Sequence, residues 1–289
     1  MTGATGFVGR HLARRLLADG WALHLVVRPS SKLERLGELR AAAAVHAHDG
    51  STARMLEIVG SAAPDTVFHL AAEGGAGHAP EDLRALLESN VVLGTQLLEA
   101  MVAHGVARIV CTGSHWQHYG GADYSPVSLY AACKEAFDRI LRFYVEARGA
   151  RAVTLVLFET YGGDDPRRRI LNLLREAARS GVALEMTAGE QYLDLVHVDD
   201  VVEAYCLAAA RLHAGEVGAQ ESFAVRSGSP IRLRELVAQF GQALGRDVPV
   251  RWGARPYRAR EVMTPWKGGQ TLPGWQPRVT LRDGLLGLR

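Results

Sequence analysis

The sequence predicts an α/β protein in which a doubly wound parallel sheet is followed by a smaller C-terminal lobe. The first observation is a glycine-rich turn, Thr2–Gly9, with glycines three residues apart and an amphipathic helix immediately after it. The second is that short apolar runs alternate with helical patterns until about residue 160, where the alternation fades. Because right-handed crossovers connect such units, the strands are expected to form one parallel sheet covered by helices on both faces.

The elements follow from the position of each apolar run and its flanking glycines or prolines. A helix starts near Phe7 and stops at Asp19-Gly20. Further strands are predicted at residues 22–27, 44–47, 65–72, 108–112, 153–158 and 222–225, and further helices at 90–105, 128–148 and 233–244. We expect residues 1–160 to form the sheet domain, 196–226 to pack with it, and 161–289 to form most of the second lobe.

The start of the chain is unusual for such a turn. A glycine-rich turn of this kind normally follows a strand, yet only Met1 precedes it. We therefore expect the first strand to be missing and the natural protein to begin several residues upstream with an apolar strand. A chain that started at Met1 would then bind a nucleotide poorly.

Composition excludes several classes of function. The 289 residues carry 33 basic and 31 acidic side chains, a net charge of +2, so no nucleic acid or membrane surface is implied as a partner. No leader or long apolar span stands out, and three cysteines without metal spacing indicate a reduced, cytoplasmic protein. His197 with Asp199 and Asp200 suits a helix start, and no metal site is expected.

The glycine-rich turn can hold a pyrophosphate, because a helix N-terminus beyond it presents free N–H groups and a positive dipole end. Arg28 closes the second strand, where a basic residue favours the 2'-phosphate of NADP(H) over NAD(H), which stays possible. Asp49 follows the third strand and could meet the adenine amino group. The sequence thus favours a dinucleotide cofactor.

The predicted chemistry depends on Tyr130 and Lys134, which share one helical face one turn apart. A nearby ammonium should lower the pKa of the phenol and make Tyr130 usable as an acid or base near neutrality. The polar and aromatic loop 113–121 follows the fifth strand, at the edge of the sheet where ligands bind.

These residues together resemble the extended branch of the short-chain dehydrogenase/reductase family, whose members include nucleotide-sugar epimerases, dehydratases and reductases. The resemblance covers most of the chain. It includes the runs 2–9, 67–72, 158–162, 197–200 and 272–277, Asn90 with Gly94 and Thr95, Tyr130 with Lys134, and the closing Leu281, Gly284 and Leu285. Within the family, the run 116–119 looks most like the reductases that make dideoxyhexoses.

The resemblance implies a Rossmann-type sheet domain with a substrate-binding C-terminal lobe, a homodimer, and a nucleotide-sugar substrate. Tyr130 would be the acid/base and Lys134 would hold the cofactor ribose. The implied cofactor contacts are Gly3, Thr5, Gly6, Phe7, Val8, Gly9, Arg28, Asp49, Gly50, Leu70, Ala71, Ala72, Asn90, Thr112, Tyr130, Lys134, Phe158 and Thr160. The implied substrate contacts are Trp116, Glu159, Arg169 and Gln191.

The chain departs from the family pattern in three places. The usual serine or threonine position falls on His115, so either Ser114 or His115 supplies the hydrogen bond to the reacting oxygen. Trp116 and Gln117 stand where dehydratases carry an Asp-Glu pair, which disfavours dehydration. Glu159 stands where many relatives have asparagine.

The leading expectation is therefore NADPH-dependent reduction of a nucleotide-linked 4-keto-6-deoxyhexose. An NAD-retaining 4-epimerase uses the same Tyr130 and Lys134 and is the main alternative. A non-catalytic nucleotide-binding relative is a third possibility, against which the intact Tyr130 and Lys134 argue.

Overall fold

The structure, a computed structural model, describes residues 1–288 and contains the expected alternation of strands and helices. The strands are β1 His24–Val27, β2 Ala44–Ala47, β3 Val67–His69, β4 Arg108–Ser114, β5 Arg151–Leu157, β6 Glu159–Tyr161, β7 Leu184–Glu185, β8 Tyr192–Leu193, β9 Leu195–His197, β10 Gln220–Val225, β11 Ile231–Arg232 and β12 Val250–Arg251. The helices are α1 Phe7–Ala18, α2 Leu39–Ala42, α3 Thr52–Ala62, α4 Leu83–Leu87, α5 Leu93–Ala103, α6 Leu129–Arg148, α7 Ile170–Ser180, α8 Val198–His213, α9 Leu233–Leu244 and α10 Leu281–Leu286. A π-helical turn, Glu88–Val92, joins α4 to α5.

The main sheet is parallel throughout, as the sequence predicts. Strand β1 pairs with β2, and β3, β4, β5 and β10 pair in that order. Strand β4 extends beyond its predicted end because Ser114 continues the ladder opposite Leu157. The carboxyl ends of β1, β3, β4 and β5 therefore meet along one edge, where ligands bind in such sheets.

Met1 and Thr2 lie where the sequence analysis expected a strand to be missing. Thr2 bridges in parallel to both Val26 and His69, so these two residues connect β1 to β3 in the middle of the sheet. The N–H of Thr2 donates to the carbonyl of Phe68 at 2.9 Å. The glycine-rich turn is thus anchored to both neighbouring strands at its very start.

Two apolar cores cover the two faces of the sheet. Leu12 of α1 and Tyr205 of α8 belong to one core, and Met55 of α3, Leu98 of α5 and Leu141 of α6 belong to the other. All five side chains are almost completely buried, and removing apolar surface from water is the main force that holds such layers together. The predicted doubly wound class is confirmed.

A third core lies in the C-terminal part of the chain. Leu174 of α7, Phe240 of α9 and Leu285 of α10 pack together there. The chain then returns to the sheet domain, because the indole of Trp275 is buried beside α8 and its Nε1 donates to the carbonyl of Asp200 at 2.8 Å. The predicted strand at 222–225 also rejoins the sheet, as part of β10.

Cys111, Cys133 and Cys206 are free thiols. Helix α8 begins directly after His197, whose Nδ1 accepts the N–H of Asp199. No group of His, Cys, Asp and Glu in the described chain could hold a metal ion, and no described helix combines the length and apolarity that crossing a membrane requires.

Candidate active site

The glycine-rich turn lies against the carboxyl end of β3 because its glycines allow a very close backbone approach. Gly3 has a φ of +77°, and a Cβ on it would lie 2.6 Å from the Ala71 nitrogen. A Cβ on Gly9 would overlap the carbonyl of Gly3. Helix α1 then starts without a side-chain cap and without an acidic residue in its first turn, which leaves its positive end available to an anion.

A cavity of about 490 Å³ runs from this turn along the carboxyl edge of the sheet. It contains most of the predicted site residues. These are Gly3, Thr5, Gly6, Val8, Arg28, Leu70, Ala71, Ala72, Thr112, Ser114, His115, Trp116, Tyr130, Phe158, Glu159, Thr160 and Arg169. The turn, the strand ends and the Tyr130 helix thus converge on one site, as the family resemblance implies.

Phe7 and Gly9 support the cavity from behind without lining it. The ring of Phe7 is buried, and the guanidinium carbon of Arg167 lies 4.6 Å from its centroid. Gly9 packs directly against the glycine-rich turn.

Lys134 and Asn90 are also buried and lie outside the lining surface. Asn90 donates from Nδ2 to the carbonyls of Glu73 and Leu86, and so holds the loop that follows β3.

Two predicted cofactor contacts, Asp49 and Gly50, do not reach the cavity. The Asp49 carboxylate is exposed and accepts the N–H of Ser51, and the carbonyl of Gly50 accepts the side-chain amide of Gln96. His48, one residue earlier, lines the cavity instead. Contact of Asp49 and Gly50 with a cofactor stays a prediction.

The predicted substrate contact Gln191 also lies away from the cavity. Its side chain is buried and hydrogen-bonded to the Thr187 hydroxyl, 3.2 Å from Nε2, and its carbonyl accepts the N–H of Leu233 at the start of α9. It serves the packing of the C-terminal lobe in this structure.

The side chains of Ser114 and Tyr130 both line the cavity, and their hydroxyls lie near enough for Ser114 to influence the pKa of Tyr130. Burial dominates the electrostatics here and raises the pKa of Tyr130 to about 12, although the charges of Arg169 and Arg167 and the neighbouring Ser114 hydroxyl act in the opposite direction. The predicted lowering of the Tyr130 pKa was therefore wrong. Tyr130 is a protonated phenol at neutral pH and can donate its proton.

Lys134 lies beside the Tyr130 ring, with Nζ 5.8 Å from the ring centroid. Burial lowers the pKa of this ammonium to about 8. Desolvation therefore keeps the Tyr130 phenol protonated and also favours loss of the proton from the Lys134 ammonium.

His115 and Glu159 face each other across the cavity wall, with Nε2 3.6 Å from Oε1. The imidazole stacks on the Phe158 ring at a centroid distance of 4.6 Å, and its Nδ1 is buried without a partner among the described residues. Burial would raise the pKa of Glu159, but the adjacent His115 imidazole and the charges of Arg169 and Arg167 lower it to about 2. Glu159 is therefore an ionised acceptor at every working pH.

Gln117 has a structural role. Its Oε1 accepts the N–H of Ser114 at 2.9 Å and its Nε2 donates to Glu135 at 2.8 Å, which ties the turn after β4 to α6. Trp116 lines the cavity with its ring edge-to-face on Tyr130. Neither residue can transfer a proton at the reacting centre.

The sequence analysis missed several lining residues. Arg35 and Ser31 lie near Arg28, and Ser89 lies on the π-helical turn, but no local pattern distinguishes them from surface residues. Arg167 lines the cavity as well. In the structure Asp165 holds its guanidinium through two hydrogen bonds of 2.8 Å.

The charged lining residues make the cavity net positive. Arg28, Arg35, Arg167 and Arg169 face it against the two carboxylates Glu73 and Glu159. This surplus of positive charge attracts a polyanion such as a dinucleotide or a nucleotide sugar.

The glycine cradle, the uncapped helix start and the Ser114–Tyr130 pair define a dinucleotide-binding oxidoreductase of the Rossmann type.

Comparison with known proteins agrees with that class. A model of the NAD dependent epimerase/dehydratase family matches residues 1–222, which is most of the chain. The chain belongs to this family, a branch of the extended short-chain dehydrogenases/reductases, and it is an enzyme of the NAD(P)-dependent oxidoreductase and epimerase group.

Relatives with different activities are similar to almost the whole chain. CDP-abequose synthase from Salmonella muenchen is 25% identical over 289 residues, covering 99% of this chain and 94% of the relative. UDP-glucose 4-epimerase from Mycolicibacterium smegmatis is 28% identical over 312 residues, covering 99% and 95%. A solved structure of MoeE5 in complex with UDP-glucuronic acid and NAD is 27% identical, has a TM-score of 0.82, and covers 99% of this chain and 96% of that one.

Proposed function

We propose that this protein reduces a nucleotide-linked 4-keto-6-deoxyhexose with NADPH. The observation that carries the proposal is that Ser114 and Tyr130 line one cavity together, while the two positions after His115 hold Trp116 and Gln117, which offer no acid or base. A ketone reduction needs a single proton on the oxygen, and Tyr130 can supply it. Dehydration needs a further proton-transferring pair, for which these positions hold the wrong residue types.

The residues present fit a nicotinamide dinucleotide. The cofactor would supply hydride when bound, and the chain would supply binding and proton transfer. Gly3, Gly6 and the start of α1 would hold its pyrophosphate. Lys134, which lies behind the lining beside the Tyr130 ring, would contact its ribose once its ammonium reaches into the cavity. Ser114 would position the substrate oxygen, and Tyr130 would donate its proton to the developing alkoxide.

The C-terminal part, residues 161–289, would hold the nucleotide sugar as a substrate-binding lobe. Arg169 supports this role because it lines the cavity beside the catalytic pair and influences the pKa of both Tyr130 and Glu159. Its charge would favour binding of the diphosphate. Gln191 is not part of this proposal.

The test is an assay of the purified protein with a panel of 4-keto nucleotide sugars. We expect stoichiometric oxidation of NADPH and a new secondary alcohol in the product.

A 4-epimerase is the second candidate, favoured by the similarity to UDP-glucose 4-epimerase and by the NAD in the MoeE5 complex. Tightly retained NAD together with interconversion of unreduced nucleotide sugars would support that candidate and overturn the reductase.

The proposed preference for NADPH depends on Arg28. Its guanidinium lines the cavity after β1, and the nearest carboxylate is that of Glu73 at 3.7 Å. Because a charge-assisted hydrogen bond to phosphate is lost, Arg28→Ala should raise the KM for NADPH at least about tenfold and leave the KM for NADH nearly unchanged. The exposed Arg40, which does not line the cavity, provides a matched Arg40→Ala control. Equal effects of Arg28→Ala on both cofactors would contradict the assignment.

We also propose a homodimer in which the helices Gly94–Ala103 and Ser128–Arg148 contribute to the interface. Phe143 of α6 supports this proposal, since its large apolar side chain is 51% exposed. Leu83 and Leu87 on α4 are exposed as well. Sedimentation velocity should give twice the monomer mass, and a monomer at micromolar concentration would remove the proposal.

A further inference from the structure

His115 and Glu159 are two departures from the family pattern that come from different parts of the chain and meet in space. His115 lies on the turn that follows β4, and Glu159 begins β6. Two consecutive residues contact the imidazole: its ring stacks on Phe158, and its Nε2 lies 3.6 Å from Oε1 of Glu159. The ring is 7% exposed, so it has little freedom to rotate away.

The polar atoms of this pair are incompletely satisfied. Glu159 faces Nε2, whereas Nδ1 of His115 is buried without a partner among residues 1–288. A buried polar atom without a hydrogen bond is costly, so the position of the ring must be held by the Phe158 stack and the Glu159 carboxylate rather than by Nδ1. Both residues line the same cavity as Ser114 and Tyr130, which is where a sugar must lie to react.

The charge of Glu159 argues against a direct role in holding the substrate. The carboxylate is ionised because its pKa is low, so it can only accept hydrogen bonds. A fixed negative charge in a cavity that binds a polyanion repels the substrate. Its presence is therefore better explained by another role of Glu159. A carboxylate can fix the orientation and the tautomer of a neighbouring imidazole, because the ring nitrogen that faces the carboxylate carries the proton.

We propose that Glu159 is a positioning residue that acts through His115: it holds the Nε2–H of the imidazole and thereby fixes how the ring faces the sugar substrate. This inference rests on the proposed reductase function for the identity of the sugar. It replaces the sequence-based assignment of Glu159 as a substrate contact.

A double-mutant cycle separates the two roles of Glu159. The variants are Glu159→Gln and His115→Thr, singly and combined, with kcat and KM measured for the 4-keto nucleotide sugar. If Glu159 acts through His115, Glu159→Gln should lower kcat about tenfold with an intact His115, and by less than about twofold once His115 is threonine. The KM should change little. Equal losses in both backgrounds, or a loss confined to KM, would overturn the proposal.

A second readout does not depend on any activity. Nitrogen-15 NMR of the histidine rings reports which nitrogen carries the proton, and the His115→Thr variant assigns the His115 signals by their loss. We expect a protonated Nε2 and an unprotonated Nδ1 in the parent protein, and a mixture of tautomers in Glu159→Gln.

The matched control is Glu73→Gln, which removes the other carboxylate of the cavity. Glu73 faces Arg28 and should leave the His115 signals unchanged. Unchanged His115 signals in Glu159→Gln would overturn the proposal even for an active enzyme. If the expected tautomer shift appears in a protein that reduces no 4-keto sugar, the positioning role stands and the proposed function fails.

Discussion

Replacing Lys134 by methionine is expected to stabilise the ligand-free protein while removing most of its activity. The ammonium is 3% exposed and burial lowers its pKa from the ordinary 10.5 to about 8. At about 1.4 kcal/mol per pKa unit, the buried charge costs the fold about 3 kcal/mol. Methionine has a similar length and no charge, so it fills the same space without that cost.

The sign of the pH dependence follows from the two pKa values. Below about pH 8, Lys134 is charged in both the folded and the unfolded chain, and its burial cost is fully present. As the pH rises from about 8 towards 10.5, the folded protein loses this proton first and the cost disappears. The stability advantage of Lys134→Met should therefore be largest at pH 7 and shrink towards pH 10.

Chemical unfolding of the parent protein and of Lys134→Met at pH 7 and pH 10 measures this effect. Lys32→Met is the control, because Lys32 is exposed and should give no comparable gain. The same variant should lose NADPH affinity and turnover, since Lys134 is proposed to hold the ribose. A lower free energy of unfolding for Lys134→Met than for the parent at pH 7 would show that the buried ammonium does not destabilise the folded protein.

Tyr130→Phe is expected to reduce kcat by about 10²- to 10⁴-fold, the usual contribution of a positioned acid or base. The ring keeps its place between Trp116 and the loop after β3, where a Cβ on Gly74 would lie 3.3 Å from the phenol ring. Only the hydroxyl that meets Ser114 is removed, so binding of NADPH should change by less than about twofold.

The measurement is steady-state turnover together with cofactor titration by fluorescence. Tyr124→Phe provides the comparison, since Tyr124 is 48% exposed and lies outside the cavity lining. A Tyr130→Phe variant with a rate within threefold of the parent would assign the proton transfer to another group. Because burial raises the pKa of Tyr130 to about 12, ionisation of the phenol should not limit the rate between pH 6 and 9.

Much of the architecture could be predicted because it depends on short-range patterns. The bounds of β2 and α9 agree with their predictions, since alternating or helical apolar spacing is decided within a few residues. The same holds for Tyr130 and Lys134, whose shared helical face follows from helix geometry alone. The start of the sheet was less predictable, because two residues bridging β1 and β3 leave no apolar run to recognise.

The tertiary structure decided which side chains face the cavity and what charge they carry. His48 rather than Asp49 lines it, and Gln191 turns into the C-terminal lobe. The pKa of Tyr130 moved opposite to the expectation because desolvation, which no spacing reveals, outweighs the nearby charges.

The sequence by itself determined the glycine-rich turn and the Tyr130–Lys134 helix, because each depends on residues that are close in the chain, and it predicted the parallel sheet from the alternation of strands and helices. It also identified His115 and Glu159 as departures from the family pattern. Only the tertiary structure showed that these two face each other at 3.6 Å and that Ser114 meets Tyr130. Such contacts join segments from different strands, and their distance and burial are set by how the strands pack rather than by any local sequence pattern.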